Sequence, residues 1–264
     1  MDINFFTIIL LSFGIGAFAV VVGVLIVKYK DMKLSKEIYY DIEASRYGIE
    51  LRKLNEKLLK KERIIFDKTL PMYLYDKEYE FKDIKSIIKR ALCLYCVVDY
   101  AINFNAKDSY SIKEKKLLKA KRNLRKFGVL SELTEKEKEL IENPSQKLVK
   151  KIAFQKEGLL VLTYALNLIE NIELPYKQCD FSIFEKIYEK TSFSVLSETC
   201  KLRTDSELVK LNDLNFLCQW ACNEENYVGK RLSKLNTEAT QERFRASAWL
   251  VSKQDNWDRI DLSA

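Results

Sequence analysis

Residues 5–27 read FFTIILLSFGIGAFAVVVGVLIV and carry no charged side chain. As a helix this run spans about 34 Å, enough to cross a hydrocarbon core of about 30 Å. A buried helix of a water-soluble domain rarely extends so far without a polar face. Asp2 is the only charged side chain before the run, whereas Lys28, Lys30, Lys33 and Lys36 follow it. Lysines near a span mark the cytoplasmic side. The expectation is a single-pass protein of the cell (inner) membrane, with its N-terminus outside and residues 28–264 in the cytoplasm. Ala17-Phe18-Ala19 resembles the small-x-small end of a cleaved signal peptide, but no basic segment precedes the run and the run continues to Val27. That favours a retained anchor. Ser12, Gly16, Ala19 and Gly23 fall on one helical stripe, where two copies could approach closely and form a homodimer. Gly and Ala are also simply common in membrane helices.

The rest of the chain is poor in turn residues. Of seven glycines, only Gly48, Gly128, Gly158 and Gly229 lie beyond the apolar run, and the prolines are Pro71, Pro144 and Pro175. All-β folds need many tight turns, so an all-helical fold is expected. No histidine is present, which removes the commonest general base and metal ligand. No Gly-rich phosphate loop occurs either. The formal net charge of +7 suits an anionic inner leaflet.

Apolar periodicity divides the chain into residues 1–4 as a short external N-terminus, 5–27 as the span, 28–66 as a charged juxtamembrane helix or stalk, and 67–264 as a helical domain. A strong helix is expected from Asp83, with Ile84, Ile87, Ile88, Ala91, Leu92, Tyr95, Val98 and Ile102 on one face. Capping boxes are expected at Ser111–Glu114, Thr134–Glu137, Ser182–Glu185 and Thr204–Glu207, where a hydroxyl and a carboxylate three residues on satisfy each other's free N–H groups. One helix is expected from about Ser145 to Glu170, and the last two over about 204–227 and 238–253.

Three groups of residues carry candidate chemistry. Asp205, Asp213, Glu242, Arg243, Arg245, Trp257 and Asp258 form a C-terminal constellation. If it converges in an open pocket it could bind a charged ligand, or share acid–base work between two carboxylates. If instead Arg243 and Asp258 tie the tail to the last helix while Trp249 and Trp257 pack in the core, the set is structural. Cys93, Cys96, Cys218 and Cys222 could supply four thiolates to zinc, but helical spacing without a knuckle turn favours buried free cysteines, and no metal or cofactor is expected. The run Lys113–Lys126 is strongly basic. Lys115, Lys116, Lys119, Arg122 and Lys126 could contact phosphate, with anionic lipid the nearest source, unless the helix simply turns Leu117, Leu118 and Leu124 inward and solvates its charges. The absence of aromatic residues disfavours nucleic acid.

Several segments resemble the DUF4272 family, an all-helical family of unknown function found mainly in bacteria. Leu202-Arg203-Thr204-Asp205-Ser206-Glu207-Leu208, then Asp213-Leu214 and Gln219-Trp220-Ala221, are similar to its L-R-x-x-x-E-[IL], D-L and H-W-A landmarks. Gln241-Glu242-Arg243-Phe244 through Ala248-Trp249-Leu250 resembles its E-R-[HR]-x-A-L-N-W-L, and Trp257-Asp258-Arg259-Ile260 its closing W-D-x-V. Phe127-Gly128 to Pro144 looks like the segment before the family's central helix. Phe154-Gln155-Lys156-Glu157 stands where the family has W-R-x-E, Tyr164-Ala165-Leu166-Asn167 where it has W-A-L-G, and Gln219 where it has histidine. The resemblance spans about residues 70–262 and implies a fold, not an activity. The leading expectation is therefore a non-enzymatic module that binds a protein partner at the inner membrane face. An enzyme acting on a charged small molecule through the C-terminal constellation, and a lipid or nucleic-acid binder acting through residues 113–126, are the alternatives.

Overall fold

The computed structural model describes residues 30, 48–74, 78–229 and 233–263. Residues 5–27, and with them Ser12, Gly16, Ala19 and Gly23, lie outside the described residues. No helix among the described residues is long and apolar enough to cross a membrane. Those residues are helical, with no strand.

The centre of the domain is α2 (Ile84–Asn103), which is buried continuously from Arg90 to Ala101. Asp83 starts it by accepting from the N–H groups of Lys85 and Ser86. Such a cap is worth about 1 kcal/mol. Around α2 pack α3 (Tyr110–Lys126), α4 (Glu135–Glu142), α5 (Gln146–Phe154), α6 (Lys156–Ala165), and the short α7 (Ser182–Tyr188) and α8 (Phe193–Thr199). On the far side of α6 lie α9 (Asp205–Val228) and α10 (Thr237–Val251), packed on each other. The domain's first helix, α1 (Gly48–Lys61), lies across α9. The stretch read as a stalk is thus helical over Gly48–Lys61, but it does not stand off as a spacer there: Arg52 and Asn55 are buried against α9.

Two expected capping boxes form, at Thr134–Glu137 and Thr204–Glu207. Two do not. Ser109, not Ser111, is the N-cap of α3. At α7 the carboxylate of Asp180 accepts from Ser182 N and Ser182 Oγ, so Ser182 is held by an upstream acid instead of capping the helix. The helix expected over 145–170 is two helices that meet at Gln155, and the second stops at Ala165. Asn167 has φ 55°, and Leu168 donates back to the Thr163 carbonyl. A left-handed residue after a helix end favours Gly or Asn. That accounts for asparagine at a position where the resembling family has glycine. Arg203 completes this end, with Nε on the Tyr164 carbonyl at 2.9 Å and Nη2 on those of Ile169 and Glu170 at 3.0 and 2.8 Å.

The C-terminal carbonyls of α10 are satisfied by chain from the other end of the domain. Glu80 N donates to Val251 O at 2.9 Å and Lys82 N to Leu250 O at 3.0 Å. A helix end needs such partners when it is buried. This pairing sets the start of α2 beside the end of α10. The tail then folds back through a 3-10 turn (Trp257–Arg259), with the Trp249 and Trp257 rings 5.7 Å apart.

Candidate functional site

The C-terminal constellation does not converge. Asp213 faces α1, where Arg52 donates to it from Nε at 3.0 Å and Nη2 at 2.6 Å, and Asn55 at 2.9 Å. Arg52 also holds the Leu70 and Pro71 carbonyls. Arg243 faces α6, with Nε 2.8 Å from the Glu157 carboxylate, and also donates to the Glu173 carbonyl. Glu157 is 0% exposed and takes the Cys179 N–H on its other oxygen. Glu242 is paired to Arg245 at 3.1 Å. Asp258 accepts from Lys136, backbone and side chain, at the N-terminal end of α4. Asp205 is exposed in the first turn of α9, where an anion suits the helix dipole.

The tail clamp expected from Arg243 and Asp258 is therefore corrected: each side chain reaches a different helix. The tail is fastened by its aromatic packing and by the contacts of Asp258 with Lys136 of α4. Trp257 is buried and lies so close to Gly158 that a Cβ there would meet its ring at 3.1 Å. Trp249 and Trp257 do pack in the core as expected.

Glu242 has a displaced titration. Burial pushes its carboxyl above the ordinary 4.5, against the pull of Arg245. A carboxyl whose folded pKa is raised contributes most below its unfolded pKa, and that contribution is lost as pH rises through the folded value. Urea titrations of wild type and Glu242→Gln from pH 4 to pH 8 should show their stability difference moving in the variant's favour with rising pH. A difference that stays flat would contradict the placement of Glu242.

The described residues do form a cleft, of about 670 Å³, where the start of α2, the entry to α4 and the tail come together. Ligand sites commonly occupy about 300–1,000 Å³. Lys82, Lys89 and Arg90 supply its cations, and Asp83, Glu132, Glu135 and Asp255 its anions. Lys82 is paired with Asp255 at 2.7 Å, Lys89 with Glu132 at 2.8 Å, and Arg90 with the buried Glu137. Trp249 and Trp257 form the aromatic wall, with the Arg90 guanidinium 5.5 Å from the Trp257 ring centre. Two buried donors on this wall, Arg90 Nε and Trp257 Nε1, have no partner. A buried donor left unsatisfied costs about 1–3 kcal/mol. Of the C-terminal constellation, only Trp257 lines the cleft.

On α3 the basic candidates divide. Lys116 pairs with Asp108 at 2.5 Å, Lys119 with Asp99 at 2.9 Å, and Lys126 donates to the Glu189 carbonyl. Lys115 and Arg122 are exposed, as is Arg125. Leu124 turns inward as expected, but Leu118 does not: it is 56% exposed. Tyr110 and Ile112 are also exposed on this helix.

Cys93 and Cys96 are buried beside α2's neighbours, whereas Cys218 and Cys222 belong to a separate apolar cluster with Leu59 and Leu235. All four are free thiols. Burial raises the Cys93 thiol to about 12 and lifts Cys96 and Cys218 further, so none is a ready thiolate. No group of three or more metal-ligating side chains occurs among the described residues.

Arg52 and Arg90 were not singled out by sequence, and Glu137 and Glu157 were read only as a helix cap and a family landmark. Arg90 left a readable signal: it falls three residues after Ile87 and four before Leu94, on the apolar face of its helix, where a charge must find a buried partner. Arg52 left none, because its partner is 161 positions away.

The family model described as Domain of unknown function (DUF4272) matches residues 51–260. No curated protein and no solved structure matches the chain.

Proposed function

The chain belongs to the DUF4272 family, and from that premise we propose that it is a membrane-anchored, non-enzymatic module that binds a protein partner at the inner face of the membrane. The uncharged run 5–27 supports an anchor, and the lysines after it support a cytoplasmic domain. The observation that carries the non-enzymatic reading is the separation of the acidic and basic landmarks. Asp213 pairs across to α1, Arg243 to α6 and Asp258 to Lys136 of α4, while Glu242 pairs with Arg245 of its own helix. Paired, buried charges of this kind perform fastening, and structural ion-pair networks imitate active sites in sequence. The test is brief crosslinking in the protein's own cells, membrane fractionation and gentle-detergent purification. Full-length chain is compared with one in which an unrelated span replaces residues 5–27. A specific protein recovered with both, in the membrane fraction, supports the reading. Recovery of the full-length chain in the soluble fraction, or of no protein with either, would sink it.

A second reading adds anionic lipid, and the face of α3 favours it. Lys115, Leu118, Arg122 and Arg125 share the exposed face, with Tyr110 and Ile112 at its start. Basic residues beside exposed apolar ones suit a helix lying at a membrane surface. Each basic residue near an anionic leaflet contributes about 1 kcal/mol. In nanodiscs with anionic lipid, a probe at Leu118→Cys should be quenched by labelled lipid, and Lys115→Gln/Arg122→Gln should weaken that contact about 30-fold. Equal quenching in wild type and variant, or quenching unaffected by added salt, would remove this reading.

A further inference from the structure

The cleft differs from the ion pairs elsewhere in the domain because two of its buried donors point to a missing acceptor. Arg90 and Trp257 are 7% and 2% exposed, both line the cleft, and neither Arg90 Nε nor Trp257 Nε1 has a partner. The guanidinium carbon lies 5.5 Å from the indole centre, so both side chains stand on one wall of the cleft. Only an acceptor satisfies two donors, and beside a guanidinium an anionic oxygen makes the stronger bond. We propose that this cleft binds a small organic carboxylate, whose oxygens accept from Arg90 Nε and Trp257 Nε1 and whose carbon skeleton lies against the Trp249 and Trp257 indoles.

Charge sets the valence of the ligand. The lining residues carry four carboxylates, Asp83, Glu132, Glu135 and Asp255, against the three cations Lys82, Lys89 and Arg90. Such a net-negative wall opposes a dianionic phosphate more strongly than a single carboxylate, because like-charge repulsion grows with the ligand's charge. Two of the wall's own carboxylates hold the lysines loosely. The Asp255 side chain is 92% exposed and that of Glu132 40%, whereas Glu137, the partner of Arg90, is 1% exposed. A ligand carboxylate can thus replace Asp255 or Glu132 by rotation of an exposed side chain, leaving the Arg90–Glu137 pair in place. Arg90 Nε and Trp257 Nε1 are shut from solvent, so entry requires a side-chain adjustment at the wall, a change common on binding.

This inference does not rest on the membrane reading and is tested apart from it. The full chain in mild detergent is titrated with acetate, benzoate, succinate and inorganic phosphate at constant ionic strength. Tryptophan emission and melting temperature are both recorded. A carboxylate should give a saturable change in both signals, stronger than phosphate does. Asp255→Asn, at an exposed position, should tighten binding by about threefold or more by freeing Lys82. Arg90→Lys keeps the charge but lacks the Nε donor and should weaken binding about tenfold. An absence of saturable change in both wild type and Asp255→Asn into the tens of millimolar would mean that an ordered water satisfies the two donors, and would overturn the proposal. So would phosphate binding tighter than every carboxylate, or a folded Arg90→Lys that binds like wild type. Should Arg90→Lys not fold, an Asp255→Asn affinity equal to wild type is sufficient to overturn it.

Discussion

Arg243→Ala is expected to destabilise the domain by about 3–5 kcal/mol, because it strands a carboxylate in the core. Glu157 is fully buried, and its Arg243 partner is 4% exposed. Removing the guanidinium leaves that carboxylate with the Cys179 N–H as its remaining described donor, and leaves the Glu173 carbonyl without its Arg243 donor. Domains of ordinary stability have about 5–15 kcal/mol in hand, so the variant should melt far below wild type or fail to accumulate. The cause is separable from simple loss of packing. In Glu157→Gln/Arg243→Met the amide oxygen still accepts from Cys179 while no charge is buried. The double variant should therefore be more stable than Arg243→Met alone by about 1–2 kcal/mol, because the single variant still buries the unpaired carboxylate. Urea denaturation of the single and double variants measures it. A double variant no more stable than Arg243→Met would mean that the buried charge is not the cause.

Asp213→Ala should cost a similar amount, about 3–5 kcal/mol, but the damage should be local first. Its carboxylate is the shared anchor for Arg52 and Asn55 of α1, both buried. Arg52 in turn holds the backbone at Leu70 and Pro71, next to Tyr73, whose ring packs at 5.0 Å from Phe244. Hydrogen exchange should rise in α1 and in residues 64–74 before it rises in α2, since weakly tied units open below the global unfolding free energy. Uniform loss of protection across α1 and α2 would show that α1 is not fastened through this pair. Neither prediction involves catalysis, and both follow from charges that the sequence offered as a site.

Local rules were legible where the interaction itself is local. Thr134 and Thr204 cap their helices with a glutamate three residues on. The same letters misled at Ser111 and Ser182. At the first, Ser109 is the helix boundary; at the second, Asp180 supplies a stronger acceptor from two residues upstream. The apolar stripe over 145–170 reads as one helix because α5 and α6 bury toward the same core, and periodicity does not register a break whose two sides face one way. The stop at Ala165 left a single trace, Asn167, which tolerates the left-handed conformation that the helix end requires.

The candidate site was legible in composition and not in arrangement. Acids and arginines in the last third of the chain were identifiable as residues that need partners, since a buried charge is strongly unfavourable alone. Which partner each takes was not, because Arg52 to Asp213, Glu157 to Arg243 and Arg90 to Glu137 join residues far apart in the chain. Distance along the chain carries no signal of that pairing. The cleft was invisible for the same reason: Lys82, Arg90, Thr134 and Trp257 come from three separate segments.

By itself the sequence determined the helical class, through scarce turn residues and 3.6-residue periodicity, and it carries the uncharged run on which the membrane proposal rests. It also determined the family, whose landmarks stand in order along the chain. Tertiary structure alone decided that those landmarks are mostly fasteners, that Leu118 faces outward, and that a cleft with two unsatisfied donors exists. The physical reason is the range of the forces. Caps and amphipathic stripes act within a few residues and are written in neighbouring letters. Burial of charge and closure of a cleft depend on which distant surfaces meet, and that is settled only when the helices pack.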